Sequence, residues 1–191
     1  MVLEVSFGKK INYVPLLICL ASSIIIGYAI FLMFSNVSIS LLLGIFSLVV
    51  MIMIYTVNLT KNYGYWEVNK QGIRYSDLSS TGQKVKAILV PKKTKESLIN
   101  YSEIEAVKLV ATAGIKAPSM VKESGALFAY SPDTVLDRFP SDYYLTVKSK
   151  DGHEVDLDLS SSVSDTSDIA KMIEIVEKET RQDVVLVRQE K

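Results

Sequence analysis

The chain contains one cysteine, Cys19, and one histidine, His153. An intramolecular disulfide is therefore excluded, and no His/Cys cluster exists to hold zinc or an iron–sulfur centre. Nothing in the composition implies a metal or any other cofactor. Charge is missing from one long tract: the fifty residues between Lys10 and Lys61 include no Asp, Glu, Lys or Arg. That void excludes a purely soluble protein, a disordered tail and a basic nucleic-acid-binding domain. G-x-S-x-G, H-E-x-x-H, Walker and G-x-G-x-x-G patterns are also absent, so no nucleophile, zinc or phosphate motif points to an enzyme.

Two apolar runs fill the uncharged tract. Residues 13–34 and 39–59 are each long enough for a helix to cross about 30 Å of hydrocarbon, and the polar link Ser35-Asn36-Val37-Ser38 separates them. They predict a transmembrane helical hairpin over residues 13–59, with Pro15 in the first turn, where its missing N–H costs little. A cleaved signal peptide is the competing reading of the first run. Its apolar stretch is too long for that, and a second follows at once. Lys9 and Lys10 precede the first span, Lys61 follows the second, and the link carries no cation. The positive-inside rule then predicts a multi-pass protein of the cell membrane with both termini cytoplasmic. Tyr13, Tyr55, Tyr63, Tyr65 and Trp66 fit an interfacial aromatic belt, and Trp66 fits a core position of the following domain equally well.

No Asp, Glu, Lys, Arg or His lies in the spans, so an ion or substrate path has no support. Ser23 and Gly27 on one helix, and Gly44 and Ser47 on the other, give each a small-residue face, with Gly27 and Ser47 expected at similar depth. These four are the candidate helix-packing residues. Cys19 is read as a small apolar residue rather than a reactive thiol.

After Gly64 the pattern turns to short alternating segments. Strands are expected at 65–69, 73–76, 84–90, 106–111, 126–130, 143–148 and 154–159, with Asp151-Gly152 turning the last pair. The segment 84–90 earns its place because Val85, Ala87 and Leu89 alternate. The Gly- and Pro-containing stretch 112–140 reads largely as loop. Ile169, Met172, Ile173, Val176 and Thr180 recur at steps of three and four, which predicts an amphipathic helix over 165–181. The tail 183–191 fits a short strand or a frayed end. Residues 1–12 form a cytoplasmic N-terminus and 60–191 one domain, about the size of a single globular core. Seven strands followed by a helix suit α+β architecture: an antiparallel, partly open β-barrel capped by the C-terminal helix.

Several phrases then carry a likeness: Trp66-Glu67-Val68-Asn69-Lys70-Gln71-Gly72-Ile73, Ile99-Asn100-Tyr101-Ser102-Glu103-Ile104-Glu105-Ala106-Val107, residues 144–147 and 155–159, and the closing helix. This layout resembles the pleckstrin-homology-like domains of bacterial membrane proteins, a group that includes the YcxB-like two-span proteins. The resemblance covers residues 65 to about 181, and the long 112–140 connection departs from the compact pattern. It implies a binding or interaction module, and some relatives are tied to bacteriocin self-protection. Lys70 and Arg74 are the thin counterpart here of the basic first hairpin that holds phosphoinositides in such domains. Tyr101 and Ile104 are expected to fill the end of the barrel, with Ser102 and Glu103 in a turn.

Charge is uneven in the soluble part: residues 61–121 carry a net of +5 and 122–191 a net of −6. Lys84, Lys86, Lys92, Lys93 and Lys95 form the basic cluster, a candidate contact for the anionic lipid surface. A plain solvated loop explains the same residues. Asp156 and Asp158 share the wet face of a strand, and His153 lies in an exposed turn, so neither suggests acid–base chemistry. The expectation is a membrane-anchored, non-catalytic module. It would bind no nucleic acid and would contact the lipid surface or an unidentified membrane or cytoplasmic protein, and homo-oligomerisation is open. A bacteriocin immunity factor and an accessory subunit of a membrane transporter are the alternatives.

Overall fold

The computed structural model describes residues 4–57, 59–112, 114–128, 142–162 and 166–189. Contacts divide the chain into two compact units. The first comprises Met1–Lys10, Lys61–Ser76 and Glu96–Lys191, and the second Ile11–Thr60 and Asp77–Lys95. The division is not the serial one of hairpin (13–59) followed by domain (60–191). Residues 4–10 fold with the β-rich unit, and residues 77–95 fold with the hairpin.

In chain order the elements are β1 (Val5–Phe7), α1 (Val14–Phe34), α2 (Val37–Val57), α3 (Leu59–Tyr63), β2 (Trp66–Val68), β3 (Gly72–Ser76) and α4 (Thr81–Leu89). They continue with β4 (Glu96–Asn100), β5 (Ile104–Thr112), β6 (Lys122–Phe128), β7 (Tyr143–Ser149), β8 (Glu154–Asp158), α5 (Thr166–Thr180) and β9 (Val185–Gln189).

The β-rich unit has two sheets, ordered β1-β2-β3-β4 and β6-β9-β5-β7-β8. The first is antiparallel throughout. In the second, β7 runs antiparallel to β5 and β8, whereas β9 runs parallel to both β5 and β6. The expected seven-stranded antiparallel barrel is therefore corrected to nine strands in two sheets among the described residues, and it is not a closed barrel. The tail explains part of the difference. Val184 and Leu186 enter the core on one face while Val187 and Gln189 are buried on the other. A strand covered on both faces reads as a continuous apolar run without alternation. The expected strand at 126–130 falls partly on β6, and residues 129–130 lie outside the described residues.

Both sheets and α5 share one core. It contains Phe7, Trp66 and Ile73 from the first sheet, Leu109, Tyr143 and Leu145 from the second, and Ile169, Met172, Ile173 and Val176 from α5. The α5 stripe is the one its periodicity predicts, and its Asp168 and Lys178 sit at the helix ends that the backbone dipole favours. Trp66 resolves to the core: it is 1% exposed, stacks on Phe7 at 4.5 Å between ring centroids, and its indole N–H donates to Asp158 O at 2.9 Å. Tyr101-Ser102-Glu103 forms a 3₁₀ turn, with the Tyr101 hydroxyl donating to Asn69 O at 2.7 Å and Ile104 buried.

In the second unit, α1 and α2 are long and apolar enough to cross a membrane, each 21 residues or about 31 Å. Their flanks are uncovered: Ile24, Ile25, Met33, Leu41 and Leu42 are all more than 60% exposed. The link is shorter than predicted. Ser35 takes a left-handed conformation, and Asn36 caps the next helix by accepting from the Ile39 amide through its side chain. Val37 and Ser38 thus belong to α2.

Candidate functional site

Residues 77–95 carry four of the five candidate lysines on α4 and the turn after it, and the fifth closes the segment. The predicted strand at 84–90 is corrected here to the helix α4. Ser80 begins it with a reciprocal cap: the Gln83 amide donates to Ser80 Oγ at 3.2 Å, and Gln83 Oε1 accepts from the Ser80 amide at 3.1 Å. That Ser-x-x-Gln pattern was the legible signal. The buried residues are Lys84, Ala87 and Ile88, spaced as a helix requires, while Leu89 is 44% exposed. Helical burial explains why the Val85–Ala87–Leu89 alternation misled.

The segment is closed at its neck. The Asp77 amide donates to Lys95 O at 2.8 Å, Lys95 Nζ donates to Asp77 Oδ2 at 2.9 Å, and Gln83 Nε2 and the Ser79 hydroxyl donate to the same carboxylate. Burial alone raises the Asp77 carboxyl, and the bonds from Lys95 and Ser79 more than offset it, leaving its pKa below the ordinary value. A depressed folded-state pKa adds stability above the unfolded value near 4, and that stability is lost as pH falls through the lower folded value. Acid titration of the full chain in micelles should therefore loosen this neck below about pH 4. The effect should stay within about 1 kcal/mol because Lys95 is largely solvated, and Asp77→Asn should remove that part of the pH dependence.

The five lysines therefore do not act alike. Lys84 is 5% exposed and packs inward, so it is no surface contact, and Lys95 is engaged by Asp77. Lys84 is a correction to the five-residue cluster, whereas Lys95 stays exposed but ion-paired. Lys86, Lys92 and Lys93 remain exposed, beside Leu89 and the 38% exposed Val90. Elsewhere, Arg74 is held by Glu67 and Glu96, which leaves exposed Lys70 as the other cation of that hairpin.

The small residues on the spans are brought together in part. A Cβ on Gly27 would lie 3.6 Å from Gly44 Cα and 3.4 Å from Ser40 O, and one on Gly44 would lie 3.7 Å from Ser23 O. Gly27 faces Gly44, not Ser47, because the shortened link moves the register: each glycine is seven residues from its own helix end. Ser47 is only half-buried, and Ser40, which sequence reasoning passed over, is 7% exposed at the contact. Those spacings leave room for a methyl group and nothing larger. Gly44→Ala should leave the hairpin intact, and Gly44→Leu should lower its stability by about 1–3 kcal/mol, read as a loss of helix–helix cross-linking between cysteines placed at Ile26 and Leu43.

In the β-rich unit two carboxylates of β8 accept side-chain hydrogen bonds. Asp156 accepts from the Thr146 hydroxyl at 2.7 Å, and Asp158 from Ser160 Oγ at 2.7 Å. The exposed His153 amide donates to Asp151 within its turn. Among the described residues no three His, Cys, Asp or Glu side chains converge on a metal position. Sequence reasoning missed three polar atoms: Thr112 Oγ1, Tyr143 Oη and Gln189 Oε1 are buried with no hydrogen-bond partner among the described residues. Register puts Thr112 beside Gln189 on one face of the sheet, whereas Tyr143, paired with Ala111, lies on the core face. Burial pushes the Tyr143 hydroxyl up to about 12, with Arg188 working the other way. Tyr143→Phe should stabilise the unit by about 1 kcal/mol in a urea titration, since it removes an unsatisfied group of nearly the same shape.

No protein family and no curated protein sequence matches the chain.

Proposed function

We propose that the protein is a non-catalytic binding module tethered to the cytoplasmic face of the cell membrane by α1 and α2, and that its β-rich unit engages a protein partner there. The observation that carries this reading is the pairing of β1 with β2. Val5 pairs with Val68 and Phe7 with Trp66, so the whole hairpin is an insertion between two neighbouring strands of one sheet. A chain that crosses a bilayer twice returns to the side it left, as this pairing demands. Lys9, Lys10 and Lys61 at the hairpin's base favour the cytoplasm for that side. Kinship with YcxB-like two-span proteins is part of the proposal, supported by the hairpin and the late helix.

Confinement to the membrane plane raises the effective concentration of the unit against other membrane proteins. The outer strands β4 and β8 are the natural contacts, since an edge strand can accept another chain. Leu98 on β4 and Glu154 on β8 are exposed. A photoreactive amino acid placed at either position of the full chain, irradiated in cells, should yield a discrete adduct in the membrane fraction. Complete absence of adducts at both positions would overturn the protein-partner reading.

A further inference from the structure

We infer that the exposed corner formed by the end of α4 and the turn after it is a binding site for acidic phospholipid headgroups. Lys86, Lys92 and Lys93 supply the charge, and Leu89 and Val90 form the wedge. The inference rests on the reading of α1 and α2 as membrane spans and names one ligand class for the unit to which they belong. Position comes first. α4 packs against both α2 and α1 within one compact unit. Beyond the glycine contact, burial on the hairpin falls at the ends remote from the link, at Pro15, Cys19 and Thr56. The covered face of α4 is Lys84, Ala87 and Ile88. Its other side leaves Leu89 and Val90 uncovered at 44% and 38%, with the three lysines exposed around them.

Charge complementarity identifies the occupant. No Asp or Glu lies between Asp77 and Glu96, and none lies in residues 11–60. Asp77 is thus the one acidic residue of the unit, and it is engaged by Lys95. Beyond that Lys95-bound Asp77, the three exposed lysines have no carboxylate in their own unit to neutralise them. Two exposed aliphatic side chains with exposed lysines on either side in sequence, at the end of a short helix packed on α1 and α2, match an interfacial element. Its apolar side enters the boundary between headgroups and acyl chains, and its lysine stems extend along that boundary to the phosphates. A protein partner would need to supply both an apolar surface and several acids. The leaflet beside the hairpin already presents both, so the lipid is the favoured occupant.

The test uses the full-length protein in phosphatidylcholine bilayers with trace spin-labelled phosphatidylglycerol or phosphatidylcholine, and reads the motionally restricted fraction of each. The expected result is a several-fold preference for phosphatidylglycerol at low salt. It should collapse at about 1 M salt, where the screening length is about 3 Å. Lys86→Gln/Lys92→Gln/Lys93→Gln should abolish the preference, the corresponding triple Arg variant should retain it, and Lys150→Gln/Lys178→Gln, on exposed lysines of the other unit, should leave it unchanged. Equal association of the two lipids with the unsubstituted chain would overturn the inference, as would a preference that survives the triple Gln change. An alkaline wash of the same bilayers separates the two claims. Protein that stays integrated yet shows no preference sinks only the lipid site, whereas protein that washes off sinks the membrane anchor beneath it.

Discussion

Trp66→Ala should cost the β-rich unit about 3–5 kcal/mol, enough to consume much of the stability of an ordinary domain. The indole is 1% exposed and serves two connections at once. Its ring stacks on Phe7 of β1 with 25° between the planes, and its N–H reaches across to the Asp158 carbonyl on β8, the outer strand of the second sheet. Truncation therefore removes a large buried surface, leaves a carbonyl without its donor, and releases the four-stranded sheet from the five-stranded one. Trp66→Phe separates these contributions. It keeps most of the apolar contact and should cost only about 1–2 kcal/mol, the penalty of the orphaned carbonyl and lost packing. Chemical unfolding of the full chain in micelles, followed by circular dichroism, checks both variants. A midpoint for Trp66→Ala indistinguishable from that of the natural chain would contradict the packing described.

Gly8→Ala is the second large effect, and it bears on how the hairpin joins the sheet. Gly8 follows β1 directly and has φ +71°, a left-handed conformation that residues with a Cβ adopt at a cost. Space is the stronger constraint. A Cβ there would lie 2.2 Å from Gly64 O and 2.8 Å from Gly64 C, both backbone atoms. The chain leaving the sheet and the chain returning to it pass too closely for any side chain at that point. Strain and overlap together are expected to cost about 3 kcal/mol, which the structure can relieve only by separating β1 from β2. Amide hydrogen exchange at Val5–Phe7 and Trp66–Val68 should then accelerate roughly a hundredfold. Exchange there equal to that of the natural chain would mean that the two strands are not clasped as described.

These two residues mark the boundary of what could be read in advance. The hairpin was legible because fifty consecutive uncharged residues leave few other fates, and α5 because its apolar positions follow a single helical stripe. Strands β7 and β8 showed themselves through alternation and the Asp151-Gly152 turn. The clasp was not legible: β1 is three residues long and its partner lies beyond two spans, so no local pattern announces it. β9 escaped as a parallel strand for a related reason, since its neighbours β5 and β6 are distant in sequence. α4 was misread through an alternation that its capping residues, Ser80 and Gln83, contradict. In the candidate site, the cationic corner was visible as composition, but only burial separates inward Lys84, and only the ion pair to Asp77 separates exposed Lys95, from Lys86, Lys92 and Lys93. The Gly27–Gly44 contact needed the true length of the link, two residues rather than four.

The central claim is that a membrane-crossing hairpin interrupts a sheet lying on one side of the bilayer. Single cysteines at Lys9, Ser38 and Ser80, in a background where Cys19 is replaced by alanine, test it most directly through labelling with a membrane-impermeant thiol reagent on intact cells. The account predicts that the Ser38 position reacts while the Lys9 and Ser80 positions react only after the cells are opened. Labelling of Lys9 and Ser80 on opposite sides, or of all three positions on the same side, would contradict it.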